Sequence, residues 1–219
     1  MVEVYDSHEQ SERVKKWLQE NGGAIVLGLV LAFGSLFGFK QWQLWESNKD
    51  QRASAEYEVM VQYLEQDDLD SAVANFETLR AEFAESAYTA LAAMQMAKAR
   101  IQASQTELAV GLLQFAMDNA EPAPLRTVAR LRLARVYLDL DRDQEALALL
   151  NGAASEQGFE ALFAEIRGDV AQVQGRMDEA ADFYRQALDS LETGTGNRTY
   201  LQVKLDSLDT GPGNQDEAS

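Results

Sequence analysis

Two patterns of apolar residues divide the chain. From Gly22 to Phe39 it reads GGAIVLGLVLAFGSLFGF, eighteen residues without a charge, in which Ser35 is the only polar side chain. Beyond Lys40 the apolar residues return at three- and four-residue steps between short polar turns, the period of helices with one buried face. The first pattern has no polar face. At about 1.5 Å per residue it makes a helix of about 27 Å, close to the hydrocarbon thickness of a bilayer. A helix satisfies its own backbone there, which an open extended segment cannot. Lys15, Lys16 and Trp17 precede the run, and Lys40, Trp42 and Trp45 follow it, where charged and indole side chains suit the headgroup layer. The run is longer than most cleaved signals carry, and no A-x-A site precedes Lys40; a permanent single-pass transmembrane helix is therefore expected over 22–39. Gly34 with Gly38, and Ala24, Gly28 and Ala32, form small-residue ridges at a spacing of four, which let helices close up within lipid. Arg13, Lys15 and Lys16 on one side balance Lys40, Lys49 and Arg52 on the other, so charge bias barely orients the span.

The second pattern repeats itself. Ala72/Phe76, Ala109/Leu113, Ala146/Leu150 and Ala180/Tyr184 each pair an alanine with a large residue four places on, and the alanines lie 37, 37 and 34 residues apart. Nine residues before each alanine stand Tyr63, Arg100, Tyr137 and Ala171; three before those stand Met60, Ala97, Ala134 and Gly168. Such offsets describe stacked helix hairpins. The alanine lets two helices cross closely, the large residue fills the gap against the next hairpin, and no hairpin buries its apolar face alone. The fourth unit, Gly168-x6-Gly175-x4-Ala180-x3-Tyr184-x2-Ala187-Leu188, resembles the tetratricopeptide repeat (TPR) consensus. The expected fold is all-α: a single N-terminal transmembrane helix, then a TPR-like α-solenoid of about four hairpins closed by a C-terminal capping helix. The expected boundaries are an N-terminal segment 1–21, the span 22–39, a linker helix 40–52, the repeats 53–190, the cap 191–208 and a polar, disordered tail 209–219.

Charge and residue content narrow the chemistry. The 219 residues carry 36 acidic and 19 basic side chains, net −17, which argues against tracking a nucleic-acid backbone. There is no cysteine and one histidine, His8, so a thiolate nucleophile, a Ser-His-Asp site and a cysteine-ligated zinc are out of reach and no cofactor is expected. Asp139-x-Asp141-x-Asp143-x-Glu145 invites a calcium reading, but Gln144 and Leu150 stand where an EF-hand loop needs Gly and Glu. The acids there, like Asp67, Asp68 and Asp70, read as a turn that caps the next helix. Arg126, Arg130 and Arg135 form a stripe that reads as a solvated, ion-paired face.

Placing the repeats on a solenoid puts first-helix positions on the concave side. They are Tyr57, Val61 and Leu64; Leu91, Met94, Lys98 and Ile101; Val128, Leu131, Arg135 and Leu138; Leu162, Glu165 and Asp169. The expected groove is apolar with two central cations and two acids at its far end, which suits an extended or helical polypeptide. The carboxylate clamp of some TPR domains is not reproduced, because Tyr57/Val61, Met94/Lys98 and Leu131/Arg135 occupy its positions.

The run Glu9-Gln10-x-Glu12-x2-Lys15-x-Trp17-x2-Glu20-Asn21-Gly22, the span ending Phe37-Gly38-Phe39, Trp42, and the closing Leu201-x2-Lys204-Leu205-x2-Leu208 together resemble the YfgM family across nearly the whole chain. The resemblance implies a non-enzymatic ancillary subunit of the bacterial SecYEG translocon. It further implies a cytoplasmic N-terminus, one helix through the inner membrane and a periplasmic repeat domain. The implied partners are SecYEG, the membrane-anchored prolyl-isomerase-type chaperone PpiD and emerging secretory proteins. The residues alone leave open a membrane-tethered TPR scaffold for another complex, unrelated to secretion.

Overall fold

The computed structural model describes residues 7–151, 158–191 and 198–209. Those residues form α1 (Ser7–Glu65), α2 (Leu69–Glu82), α3 (Ala87–Gln102), α4 (Thr106–Asn119), α5 (Ala123–Asp139), α6 (Asp143–Asn151), α7 (Glu160–Val173), α8 (Met177–Ser190) and α9 (Arg198–Asp209). The chain divides into two compact units, Met1–Gln51 and Arg52–Ser219. Of the tail expected over 209–219, Asp209 instead ends α9 and 210–219 lies outside the described residues, as does 192–197 of the expected cap.

In the first unit α1 is bent. Its arms Lys15–Ala24 and Val26–Glu65 meet at 43°, next to Gly22 and Gly23, a pair of the kind that accompanies sharp kinks. Among the described residues no single helix is long and apolar enough to cross a membrane; the bent pair passes that test of length and composition together. The single transmembrane helix expected over 22–39 is therefore not confirmed as one helix: the bend divides the run, and neither arm holds all eighteen of its uncharged residues. The large side chains from Val26 to Phe39 are exposed all round, from 52% at Leu29 to 72% at Phe37. Ala32 is exposed, and a Cβ built on Gly28, Gly34 or Gly38 meets nothing within 4 Å.

In the second unit the four hairpins are the end of α1 with α2, α3 with α4, α5 with α6, and α7 with α8; α9 follows them. Each turns by the same device. Asp67, Ser104 and Asp141 have φ of 57°, 59° and 57°, and Gly175 has φ 75°. The next N–H reaches back to the carbonyl five residues earlier: Asp68 to Tyr63 (2.9 Å), Gln105 to Arg100, Arg142 to Tyr137 and Arg176 to Ala171 (2.8 Å each). The N–H of the positive-φ residue bonds the carbonyl of Leu64, Ile101, Leu138 or Gln172. Paired bonds of this kind close the last open carbonyls of a helix and reverse the chain. At Tyr63, Arg100, Tyr137 and Ala171 the turn uses the main-chain carbonyl, which explains how one position carries such different side chains. Asp68 then caps α2, its carboxylate accepting from the Ser71 N–H at 3.1 Å.

The packing runs along the array. Ala72, Ala109, Ala146 and Ala180 are fully buried, and Phe76, Leu113, Leu150 and Tyr184 are at most 3% exposed. One apolar cluster spans the end of α1 to α5, a second joins α5, α6 and α7, and a third joins α7, α8 and α9. Each hairpin thus completes its core with the next, as stacked repeats must.

Candidate functional site

The open ground between successive first helices holds two hollows. One, of about 570 Å³, lies between the end of α1 and α3, lined by Val61, Leu64, Gln95 and Lys98 among others. The second, of about 460 Å³, lies between α3 and α5, with Met94, Lys98, Ile101, Arg132, Arg135 and Val136 in its walls. Gln95, Lys98 and Gln102 line both, so the hollows share a wall on α3. Leu91 and Tyr57 are half-buried against the first cluster, with the Tyr57 ring 6.0 Å from that of Tyr88. Leu138 and Leu162 are half-buried against the second.

Leu131 is a correction. It is 2% exposed and belongs to the second cluster with Ala134, Phe163 and Ile166. On α5 it is Arg132 that lines the hollow, one residue further round the helix. A one-residue step turns an α-helix by about 100°, enough to take a side chain from groove to core.

The far end of the expected groove is already filled. The Lys204 ammonium of α9 stands 3.0 Å from Glu165 Oε1 and 2.7 and 2.8 Å from the two Asp169 oxygens. Glu165 is 2% exposed, and its other oxygen lies 3.4 Å from the Arg135 guanidinium. The Tyr184 hydroxyl donates to Asp169 Oδ1 at 2.7 Å. Lys204 also lies over the Tyr200 ring, 4.7 Å from its centroid. Burial disfavours the charge on Lys204, but the hydrogen bonds and attraction of Asp169 and Glu165 outweigh it and raise its pKa above the ordinary lysine value. Burial, then the bond to Asp169, pushes the Tyr184 phenol far above its usual range. The two acids therefore dock α9 instead of lying open to a ligand. The sequence held one sign of this, a lone lysine among the apolar residues of Leu201-x2-Lys204-Leu205, but its partners are 35 and 39 residues away.

Other charged positions serve the scaffold. Arg126 donates to the carbonyls of Ala120 and Glu121, at 2.9 Å each, and so ties down the start of α5. In the Asp139–Glu145 stretch, Asp141 is the positive-φ turn residue, while Arg142 pairs with Glu145 and, at 3.3 Å, with Glu107. The Asp143 carboxylate accepts from the Gln174 amide, which holds its pKa below the usual range.

Residues 15–210 match the family model of the tetratricopeptide repeat-like domain. The chain is 30% identical over 190 residues to the ancillary SecYEG translocon subunit of Escherichia coli (strain K12), covering 86% of this chain and 91% of that one. It is 28% identical over 189 residues to the ancillary SecYEG translocon subunit of Haemophilus influenzae, covering 85% and 92%. Among solved structures, a Podosopora anserina kinesin light chain with nearly identical TPR-like repeats superposes with TM-score 0.55 at 20% identity, covering 77% of this chain and 90% of that one. MamA superposes with TM-score 0.51 at 15% identity, covering 74% and 86%. At those identities the structures speak for the fold alone. The family match over most of the chain, together with the Escherichia coli relative aligned over most of both proteins, places the chain in the tetratricopeptide repeat-like domain family and, within it, among the ancillary SecYEG translocon subunits, the YfgM family.

Proposed function

We propose that this protein is a non-catalytic scaffold, anchored in the bacterial inner membrane beside the SecYEG translocon, whose repeat domain holds polypeptides leaving the channel. The observation that carries the anchor is the charge-free run 22–39, whose large side chains from Val26 to Phe39 are exposed on every side. A soluble helix open all round places charges on its outer face; this one has none. The anchor reading tolerates the bend, because tilt and kinks are ordinary in spans. Gly28, Ala32, Gly34 and Gly38 supply a surface for close helix contact within lipid. The N-terminus is cytoplasmic and the repeats periplasmic, an arrangement supported by the resemblance to the translocon subunits. The hollows along α3 receive the polypeptide, with Val61, Leu64, Met94, Lys98 and Arg135 in their walls. PpiD is the chaperone partner implied by that resemblance, and secretory proteins are the clients.

The test is a pull-down of the full chain in mild detergent with identification of what comes with it. Recovery of SecYEG components and PpiD is the expected result; their absence removes the translocon reading and favours a scaffold for another complex. A reporter active only outside the cytoplasm, fused after Ser219, is expected to be active. A silent reporter reverses the topology. Crosslinking from Gly34 or Gly38 is expected to capture a SecYEG component within the membrane.

A further inference from the structure

We infer that the hollow between α3 and α5 selects polypeptide segments in which a carboxylate stands among apolar side chains. This rests on the groove being a polypeptide site and adds the chemistry of what enters it. The floor is apolar, with Met94, Ile101 and Val136. Lys98, Arg132 and Arg135 stand in the same walls against one acid, Asp139. The hollow is therefore locally cationic in a chain of net charge −17. Lys98 and Arg132 are exposed, and among the described residues neither has an ion-pair or hydrogen-bond partner. The Arg135 side chain is 41% exposed, and its contact with Glu165 Oε2 is a 3.4 Å approach that leaves that oxygen without a hydrogen bond. Its guanidinium thus keeps donors for an incoming carboxylate.

The occupant must complement both features. A purely apolar segment leaves Lys98 and Arg132 beside it unmatched, and partial desolvation of a charge is costly without a partner. An acidic segment lacking apolar side chains leaves the floor wet. A nucleic acid is disfavoured, because three cations release few counterions and the surrounding charge is negative. The attraction is local, since screening confines it to about 8–10 Å in physiological salt. It acts as a selection at the groove, while the acidic body does not draw such segments from afar.

The test uses the full chain in lipid nanodiscs, with empty nanodiscs as the blank. Two fluorescent peptides share one Leu/Phe pattern; one carries Asp at the intervening positions and the other Asn. The Asp peptide is expected to bind about tenfold more tightly. The Lys98→Ala/Arg132→Ala double variant, at exposed positions, is expected to erase that gap by weakening the Asp peptide about tenfold more than the Asn peptide. Equal binding of the two peptides, or a gap that survives in the double variant, overturns the charge selection and leaves the polypeptide groove standing. Failure of both peptides to bind removes the groove reading itself. Binding that appears only after residues 210–219 are deleted assigns the hollow to the chain's own acidic tail, and binding that appears only on dilution assigns it to a second copy; either result overturns the proposal.

Discussion

At Gly168 the array has no room to spare. A Cβ there would stand 2.5 Å from Tyr184 Cε1 and 2.6 Å from Cδ1, and the ring is fully buried and held by its hydroxyl. Gly168→Ala is therefore expected to destabilise the repeat domain by about 1–3 kcal/mol through overpacking, read as a lower urea midpoint at unchanged slope. Gly111 is the contrast: it is exposed within α4, with nothing within 4 Å of a built Cβ. Gly111→Ala is expected to stabilise by about 0.5–1 kcal/mol, because the chain loses less entropy on forming the helix. At the turns, Ser104 holds φ 59°, where a side chain costs about 1–2 kcal/mol of strain; Ser104→Gly is expected to raise the same midpoint. Asp68 sets an acid limit. Its carboxylate takes hydrogen bonds from the Ser71 side chain and N–H, which lower its pKa below 3.8. The folded state thus gains from it above that value and loses the gain as pH falls through the lowered one. Asp68→Asn keeps a capping acceptor. It is expected to leave stability at neutral pH nearly unchanged and to soften the loss in acid, measured by urea unfolding across the carboxylate range.

Helix α9 is held by charge as well as by packing. Lys204 neutralises Glu165 and Asp169, whose side chains are 3% and 20% exposed. Lys204→Met leaves those carboxylates close together, with Asp169 stripped of its cation and Glu165 left with only the 3.4 Å approach of Arg135. The expected cost is about 3 kcal/mol, with faster amide exchange concentrated in α9 and α7. Adding Glu165→Gln and Asp169→Asn to Lys204→Met is expected to restore most of it; no rescue would mean that the lysine acts through its stem alone. The contrast with the hairpins shows what a sequence conveys about such elements. Ala72, Ala109, Ala146 and Ala180 could be read in line because close crossing restricts residue type at a fixed offset. The Lys204 docking could not, because a lysine on a helix carries no mark of partners 35 and 39 residues away. The Asp139–Glu145 stretch shows a smaller limit, since composition marks a turn but not which acid takes the positive φ. At Leu131 the helical period conveys the hollow-facing side of α5, which includes Arg135, but not that Arg132 and not Leu131 sits at its edge. Leu131→Ala accordingly tests the core and not the groove: it is expected to cost about 2–5 kcal/mol in stability.

Across the whole molecule the two units obey opposite solvent rules. The repeat unit hides its apolar residues in three linked clusters, whereas the run 22–39 leaves its large side chains from Val26 to Phe39 exposed. The hydropathy pattern conveys that contrast directly, because it depends on residue type alone. It carries no sign of the 43° bend, which is a property of the helix axis. If the run lies in lipid, its middle is where a charge is least tolerable. Leu31, near that middle, is 61% exposed, so Leu31→Arg displaces no packed neighbour, yet it places a charge at a cost of about 2.5–3.5 kcal/mol on insertion scales. Membranes bearing the parent chain are expected to retain it through an alkaline carbonate wash, and those bearing Leu31→Arg to release a larger share. Urea unfolding of the repeats is expected to be the same in both, which separates loss of the anchor from loss of the fold. Should the variant stay embedded to the parent's extent, the run is not what holds the chain to the membrane. A parent chain that washes off would mean the same, and the exposed leucines and phenylalanines would then have to be covered by protein instead of lipid.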